Sequence, residues 1–413
     1  MAVVLNEGYS CTNKEKYLSK AEGCRVWDLQ GNAYVDMAMA GGSAILGHAD
    51  KSIVEAASSQ FAAGSLFTSP SILAHQFCEV IGPCLAPLSE FVFSSTGSEA
   101  TLRAIRIARA ATGKEKIAIF SGCWHGSHDL LLVEDDPKSD QQKPEAILKS
   151  AGTTRDVLNQ VIVLPYNDPS AFKLIKDHAQ EIAMVFIEPA QGSNPRADIR
   201  DFLLGLRKVC TENNVLLGFD EIITGGRLAL GGGKTHFEIN PDIATFGKIY
   251  GGGLPLGLTA GTTEVMACIR SENPVFLGGT FSANPISLAA GLCAIEQLRE
   301  RPETYVQLSR RASDFVAEIN GFAQTKGIDA HMMGVGSMFR LILSSNTVSC
   351  RRERDRVEPA IDIQNTFYQH LRAAGVWIGT NRINFLSTSH DDAALALAQE
   401  AYQSSLLRFA ADL

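Results

Sequence analysis

Lys248 stands in the run Phe246-Gly247-Lys248-Ile249-Tyr250, just after the apolar segment Ile243 to Phe246. Gly251-Gly252-Gly253-Leu254-Pro255 follows and lets the backbone turn tightly beside it. A lysine amine so placed can form an imine with a carbonyl compound. Taken alone, a lysine after a strand is ordinarily a solvated surface group. Phe219-Asp220-Glu221 ends another apolar run, where an acid serves either a site or a structural hydrogen bond. Thr96-Gly97-Ser98 follows a strand-like segment and opens a helical one. Two hydroxyls, a glycine and free N–H groups at a positive helix end suit an anion, although an ordinary N-cap explains the hydroxyls as well. Trp124-His125-Gly126 follows a further short strand, and reads either as a ring contact or as a core Trp with a hydrogen-bonded His. Gly279-Thr280-Phe281-Ser282-Ala283-Asn284-Pro285 carries an Asn cap and a Pro at the first helical position.

These parts match what pyridoxal phosphate requires. It needs a lysine for the imine, an acid to keep the pyridine nitrogen protonated, a glycine-rich helix start for the phosphate, and an aromatic ring against the pyridine. Two rivals fail. Gly233-Lys234-Thr235 resembles the end of a nucleotide-binding loop, but position 228 is Leu228 where that motif needs a glycine. His125 and His128 have no third ligand at a recognisable spacing, so no metal is expected.

The elements that position these residues alternate. Glu90 to Ser94, Lys116 to Ser121, Val161 to Leu164, Ile182 to Ile187 and Val215 to Phe219 read as buried strands, and Ser98 to Ala111 and Ile199 to Glu212 as helices. Such alternation implies an α/β fold with a mostly parallel sheet and helices on both faces. Ligands then sit beyond the carboxyl ends of the strands. Arg25 to Asp36 predicts a hairpin turning at Gln30-Gly31-Asn32, and Pro285 onward predicts long helices. The expected organisation is a large domain over 56–290 and a smaller α+β domain from 1–55 and 291–413. Asp135 to Lys149 is polar and reads as a mobile surface loop.

Composition narrows the class. The 413 residues are 45% hydrophobic and 20% charged, with a net charge of -8. That balance disfavours nucleic acid or an anionic membrane as partner. The cysteines number nine, with no C-x-x-C pair, which suits free thiols in a reducing compartment. Met1 to Thr12 shows no leader pattern and no apolar run is long enough to span a bilayer, so a cytoplasmic location is expected.

In order and spacing, SSTGSEATLRAIRIAR (94–109), CWHGSHD (123–129), FIEPAQG (186–192), FDEIITGGR (219–227), FGKIYGGGLPLG (246–257) and GGTFSANPISLAAG (278–291) together resemble the class III pyridoxal-phosphate-dependent aminotransferases, most nearly the glutamate-1-semialdehyde aminomutase branch. The resemblance spans about Gly23 to Ser389. It implies the fold-type I architecture and a homodimer with shared sites. Lys248 would hold the cofactor and shuttle the proton, and Asp220 would pair with the pyridine nitrogen. Ile222 would cover one ring face and Trp124 the other, where the family usually has Tyr or Phe. Thr96, Gly97 and Ser98 would hold the phosphate, with His125 and Gly279 among the cofactor contacts and Thr280 reaching the neighbouring subunit's phosphate. Glu188 and Gln191 would lie near the substrate and the ring hydroxyl.

Two departures separate this chain from the mutase pattern. The N-terminal arginine that grips a mutase's substrate is missing, since Met1 to Cys24 contains none. The C-terminal glutamate segment is replaced by Asn381-Arg382-Ile383-Asn384-Phe385, and Arg382 matches the donor-binding arginine of ordinary class III enzymes. The implied activity is transfer of an amino group from a glutamate-like donor to an aldehyde or ketone acceptor, the cofactor alternating between pyridoxal and pyridoxamine phosphate. Intramolecular amino transfer is the alternative. A non-catalytic binding protein on the same fold is a third reading, disfavoured by the intact Lys248, Asp220 and phosphate set.

Overall fold

The computed structural model describes residues 17–412 and, before them, the backbone pairing of Val4–Leu5 with Tyr9–Ser10. Residues 1–3, 6–8, 11–16 and 413, with them Cys11 and part of the arginine-free stretch Met1 to Cys24, lie outside the described residues. Among the described residues the cysteines are free thiols, and no helix is long and apolar enough to cross a membrane.

The chain divides into two compact units, residues 52–305 with 348–356, and residues 1–51 with 306–347 and 357–413. The expected boundaries are 55/56 and 290/291, and the observed ones fall at 51/52 and 305/306. The helix Pro285–Glu300 stays whole with the larger unit because it packs closely there. A Cβ on Gly291 would fall 2.0 Å from the Tyr250 carbonyl oxygen and 3.0 Å from the Phe77 ring, so only glycine admits this approach.

The larger unit is built on one seven-stranded sheet. In chain order its strands are β1 (Glu90–Ser94), β2 (Lys116–Phe120), β3 (Val161–Leu164), β4 (Ile182–Ile187), β5 (Leu216–Asp220), β6 (Ile243–Gly247) and β7 (Gly257–Gly261). The spatial order is β3-β2-β4-β5-β6-β7-β1. All run parallel except β7, which is antiparallel to β6 and β1. Every residue of β4 is buried, as expected of a central strand covered on both faces. The helix α1 (Gly97–Thr112) follows β1 and lays Ala104, Ile105, Ile107 and Ala108 against the sheet. The fold is thus α/β with flanking helices and a mixed sheet, and the ends of β1, β2, β4, β5 and β6 lead into Thr96, Trp124, Glu188, Asp220 and Lys248 respectively.

In the smaller unit Arg25–Asp28 and Ala33–Asp36 form the expected hairpin. The Asp28 carboxylate closes its turn by accepting from the Gln30 and Asn32 N–H groups at 3.0 and 2.9 Å. Val376–Trp377 adds in parallel to Ala33–Asp36. A second sheet joins His331–Val335, Met338–Ile342 and Asn384–Phe385.

His390 is buried in this unit. Its Nδ1 accepts from the Ser387 N–H at 3.0 Å, and its Nε2 has no hydrogen-bond partner among the described residues. Burial lowers its pKa to about 4, against the ordinary value of 6.5. A histidine kept neutral in the fold and free to charge in the unfolded chain contributes stability above pH 6.5 and loses it as pH falls toward 4. Unfolding free energy measured in urea should therefore fall across this window, with His390 supplying up to about 1.4 kcal/mol per pH unit. His390→Asn should reduce that slope by close to one proton. An unchanged slope would contradict the assignment.

Candidate active site

Asp220 ends β5 and is 3% exposed. A buried carboxylate needs donors. Its Oδ2 lies 2.7 Å from His125 Nδ1, while Oδ1 accepts from the Ile222 N–H at 3.1 Å and from Thr245 Oγ1 at 3.4 Å. His125 packs on Phe186 of β4 with ring centroids 4.5 Å apart. It reaches the end of β5 because the loop after β2 crosses the one strand between them, β4. His125 Nε2 is buried and has no hydrogen-bond partner among the described residues. The companion His128 contacts Thr101 Oγ1 at 3.3 Å.

Lys248 follows directly on β6, the strand beside β5, and is half-buried. Its φ is 49°, in the left-handed region that side-chain-bearing residues seldom adopt. Such strain concentrates at functional sites. Ile222 fills the space between the two strand ends. A Cβ on Gly97 and one on Gly247 would each come 3.1 Å from its Cδ1. One isoleucine therefore touches the start of α1 and the residue before Lys248.

The start of α1 is capped by Thr96, whose Oγ1 accepts from the Glu99 N–H at 3.2 Å, and Glu99 reaches back to the Ser95 and Thr96 N–H groups at 2.6 and 3.2 Å. This capping box leaves the first-turn N–H groups of Gly97 and Ser98 with no carbonyl to reach inside the helix. Ser98 Oγ accepts from the Ser127 N–H at 3.1 Å, and Gly126 turns beside it at φ 103°.

Glu188 and Gln191, after β4, are buried together. Glu188 accepts from the Trp124 N–H at 3.0 Å and the Gly192 N–H at 3.1 Å, and burial pushes its pKa up. Gln191 donates to the Ser121 carbonyl at 2.9 Å, and its Oε1 has no hydrogen-bond partner among the described residues. Tyr166, which sequence reading missed, holds this turn by accepting from the Gln191 N–H at 3.1 Å and donating to the Glu188 carbonyl at 3.2 Å. Trp124 is 49% exposed.

Gly279 and Thr280 are exposed. Their loop is tied down by buried Arg103, which donates to the Gly278 carbonyl at 3.1 Å and Ser282 Oγ at 3.0 Å. Arg382 lies in the smaller unit, 7% exposed. It bonds to Gln364 Oε1, to Asn365 Oδ1 at 2.8 Å, and sits 4.8 Å from the Tyr368 ring centroid. At the rejected nucleotide loop, the Gly233 and Lys234 N–H groups both donate to the Glu221 carboxylate at 2.7 Å. A side chain already occupies the place a phosphate would need.

The class-III aminotransferase family model matches residues 9–394. A glutamate-1-semialdehyde 2,1-aminomutase of Methanobrevibacter smithii is 35% identical over 94% of this chain and 91% of its own length. An omega-transaminase from Sphaerobacter thermophilus superposes with a TM-score of 0.90 at 28% identity, covering 98% of this chain and 95% of its own. A beta-phenylalanine aminotransferase from Variovorax paradoxus gives 0.84 at 28% identity, covering 95% and 87%.

Gly126→Ala tests the tightness of the α1 start. The new methyl would lie 2.7 Å from Ser98 Oγ and 2.9 Å from its Cα, at a positive φ. The variant should lose about 1–3 kcal/mol of unfolding free energy in urea. Wild-type stability would mean that the loop does not bear on the helix start.

Proposed function

We propose, from the fact that this chain belongs to the class-III aminotransferases, that it moves an amino group from a glutamate-like amino acid to an aldehyde or ketone acceptor. Pyridoxal phosphate is the cofactor, alternating with its pyridoxamine form. The residues present fit it. His125 Nε2 and Gln191 Oε1 are buried polar atoms lacking hydrogen-bond partners among the described residues, and the capped start of α1 presents the Gly97 and Ser98 N–H groups.

The observation that carries the proposal is the convergence on adjacent strand ends of a strained lysine and a carboxylate held by a histidine. When bound, the cofactor supplies an electron sink for the substrate carbon that bears the amine. The chain's own residues do the rest. Lys248 Nζ would hold the cofactor and, once freed by an incoming amine, would serve as the base that accepts the substrate carbon's proton and gives it back. Asp220 would pair with the ring nitrogen and favour its protonated form, and His125 orients Asp220. Gly97, Ser98 and Thr96 bind the phosphate. Ile222 and Trp124 would cover the ring, and Gln191 and Glu188 would lie near its hydroxyl and the substrate. Gly279 and Thr280 complete the phosphate site of a second copy in a homodimer. Their exposure beside Phe276 and Phe281, 78% and 61% exposed, favours a covered surface there. The resemblance assigns the donor's α-carboxylate to Arg382, whose guanidinium is held by Gln364 and Asn365.

Intramolecular amino transfer is the second reading, favoured by the similarity to the glutamate-1-semialdehyde 2,1-aminomutase of Methanobrevibacter smithii. Two features favour transfer between substrates instead, the absence of arginine from Met1 to Cys24 and the arginine at position 382.

Half-reactions followed by stopped-flow absorbance separate these readings. Glutamate alone should convert the bound cofactor to its pyridoxamine form in a single turnover. Arg382→Ala should lower kcat/KM in that half-reaction by about 2–3 kcal/mol, roughly 30- to 150-fold. It should leave an uncharged acceptor much less affected. Equal small effects on both would remove Arg382 from the site. Fast conversion of glutamate-1-semialdehyde to 5-aminolevulinate, with no second substrate, would establish the mutase reading. Asp220→Ala should retain cofactor through its phosphate and lose nearly all proton abstraction, so near-normal turnover would exclude its role.

A further inference from the structure

The polar stretch after Asp135, expected to be loose, is built into the larger unit. Val133–Asp135 and Ala146–Leu148 pair as an antiparallel ribbon. The short helix Arg351–Val357 anchors it. Arg352 ion-pairs with Asp135 at 3.2 Å and donates to the carbonyls of Asp136 and Pro137 at 3.1 and 3.2 Å. Glu353 and Arg356 each hold Gln141 at 2.9 Å.

The result is the placement of Lys149, the residue after the ribbon. Its ammonium lies 5.0 Å from the centroid of the half-exposed Trp124 ring. Arg351 approaches the same place from the helix. A Cβ on Gly122 would come 2.7 Å from Arg351 Cβ and 3.0 Å from Gln191 Nε2, so the arginine stem lies across the backbone beside the Gln191 amide. Gly122, Cys123, Lys149 and Arg351 line a cleft of about 200 Å³.

The two cations are incompletely matched. Arg351 pairs with Asp355 at 3.2 Å, but Arg354 also draws on that carboxylate at 3.0 Å. Lys149 has Glu134 at 4.0 Å, the outer limit of an ion pair. Asp135, also on the cleft, is engaged by Arg352. Burial, and then the like charge of Arg351, hold the Lys149 ammonium below the usual lysine range. An anion entering the cleft would relieve both cations at once.

We infer that Lys149 and Arg351 form a subsite for a substrate carboxylate remote from the reacting carbon, so that the substrate class is a dicarboxylic amino or oxo acid. The inference rests on the proposed active site around Trp124 and Gln191. It assigns a second carboxylate, distinct from the one given to Arg382.

The test uses the holoenzyme and donors that differ in carboxylate count. In Lys149→Met and in Arg351→Met, kcat/KM of the donor half-reaction should fall about 10- to 100-fold for glutamate and stay within about 2-fold for alanine. Lys149→Arg should recover most of the glutamate rate. A second arm needs no turnover. By calorimetry the wild type should bind glutarate at least about 10-fold more tightly than butyrate, and the double variant should lose that preference. Equal losses for glutamate and alanine, or an unchanged glutarate preference in the double variant, would overturn the subsite. If no amine converts the wild-type cofactor, the proposed function fails, and the glutarate comparison still decides the subsite.

Discussion

A carboxylate with 3% exposure at the end of a central strand is the constraint around which this molecule is arranged. Asp220 cannot stay there without donors, because a buried unpaired charge is far costlier than any single hydrogen bond repays. Three neighbouring elements supply them. The loop after β2 brings His125, β6 brings Thr245, and the turn after β5 brings the Ile222 N–H. Satisfying one group thus fixes the relative placement of three strand ends. The same ends carry Trp124, Lys248 and the Ile222 side chain. The chemistry proposed for the site uses the negative charge that this packing protects.

Glycine does the complementary work. Gly97 and Gly247 let Ile222 lie flat against both α1 and β6, and Gly291 lets the Pro285–Glu300 helix reach the Tyr250 carbonyl. That contact supports the turn carrying Lys248. The lysine itself sits at φ 49°, a conformation sustained by its surroundings rather than by its own preference. The proton exchange proposed for this amine needs it held close to one carbon.

Much of this is legible in the residues because its causes are local. Apolar runs such as Ile182-Ala183-Met184-Val185-Phe186-Ile187 read as buried strands, and Thr96 with Glu99 reads as a helix start. What escaped is non-local. The antiparallel strand Gly257–Gly261 has too much glycine to read as a strand, and only pairing with β6 and β1 makes it one. The structural part of the neighbouring acid Glu221 is set by distant residues, the N–H groups of Gly233 and Lys234. The stretch 135–149 looks loose because its anchor, Arg352, comes from far along the chain. The segment Arg351-Arg352-Glu353-Arg354-Asp355-Arg356 was the available signal, four arginines against two acids on one short helix, which leaves arginine donors to find acceptors outside it.

The central claim is that Lys248 holds the cofactor, and one chemical measurement addresses it directly. The protein reconstituted with pyridoxal phosphate should absorb in the visible. Borohydride should bleach that band while fixing the cofactor to the protein. Peptide mapping should then place the reduced adduct on Lys248 alone, and Lys248→Ala should lack the band. An adduct on Lys234 or Lys149, or an unchanged band in Lys248→Ala, would contradict the account.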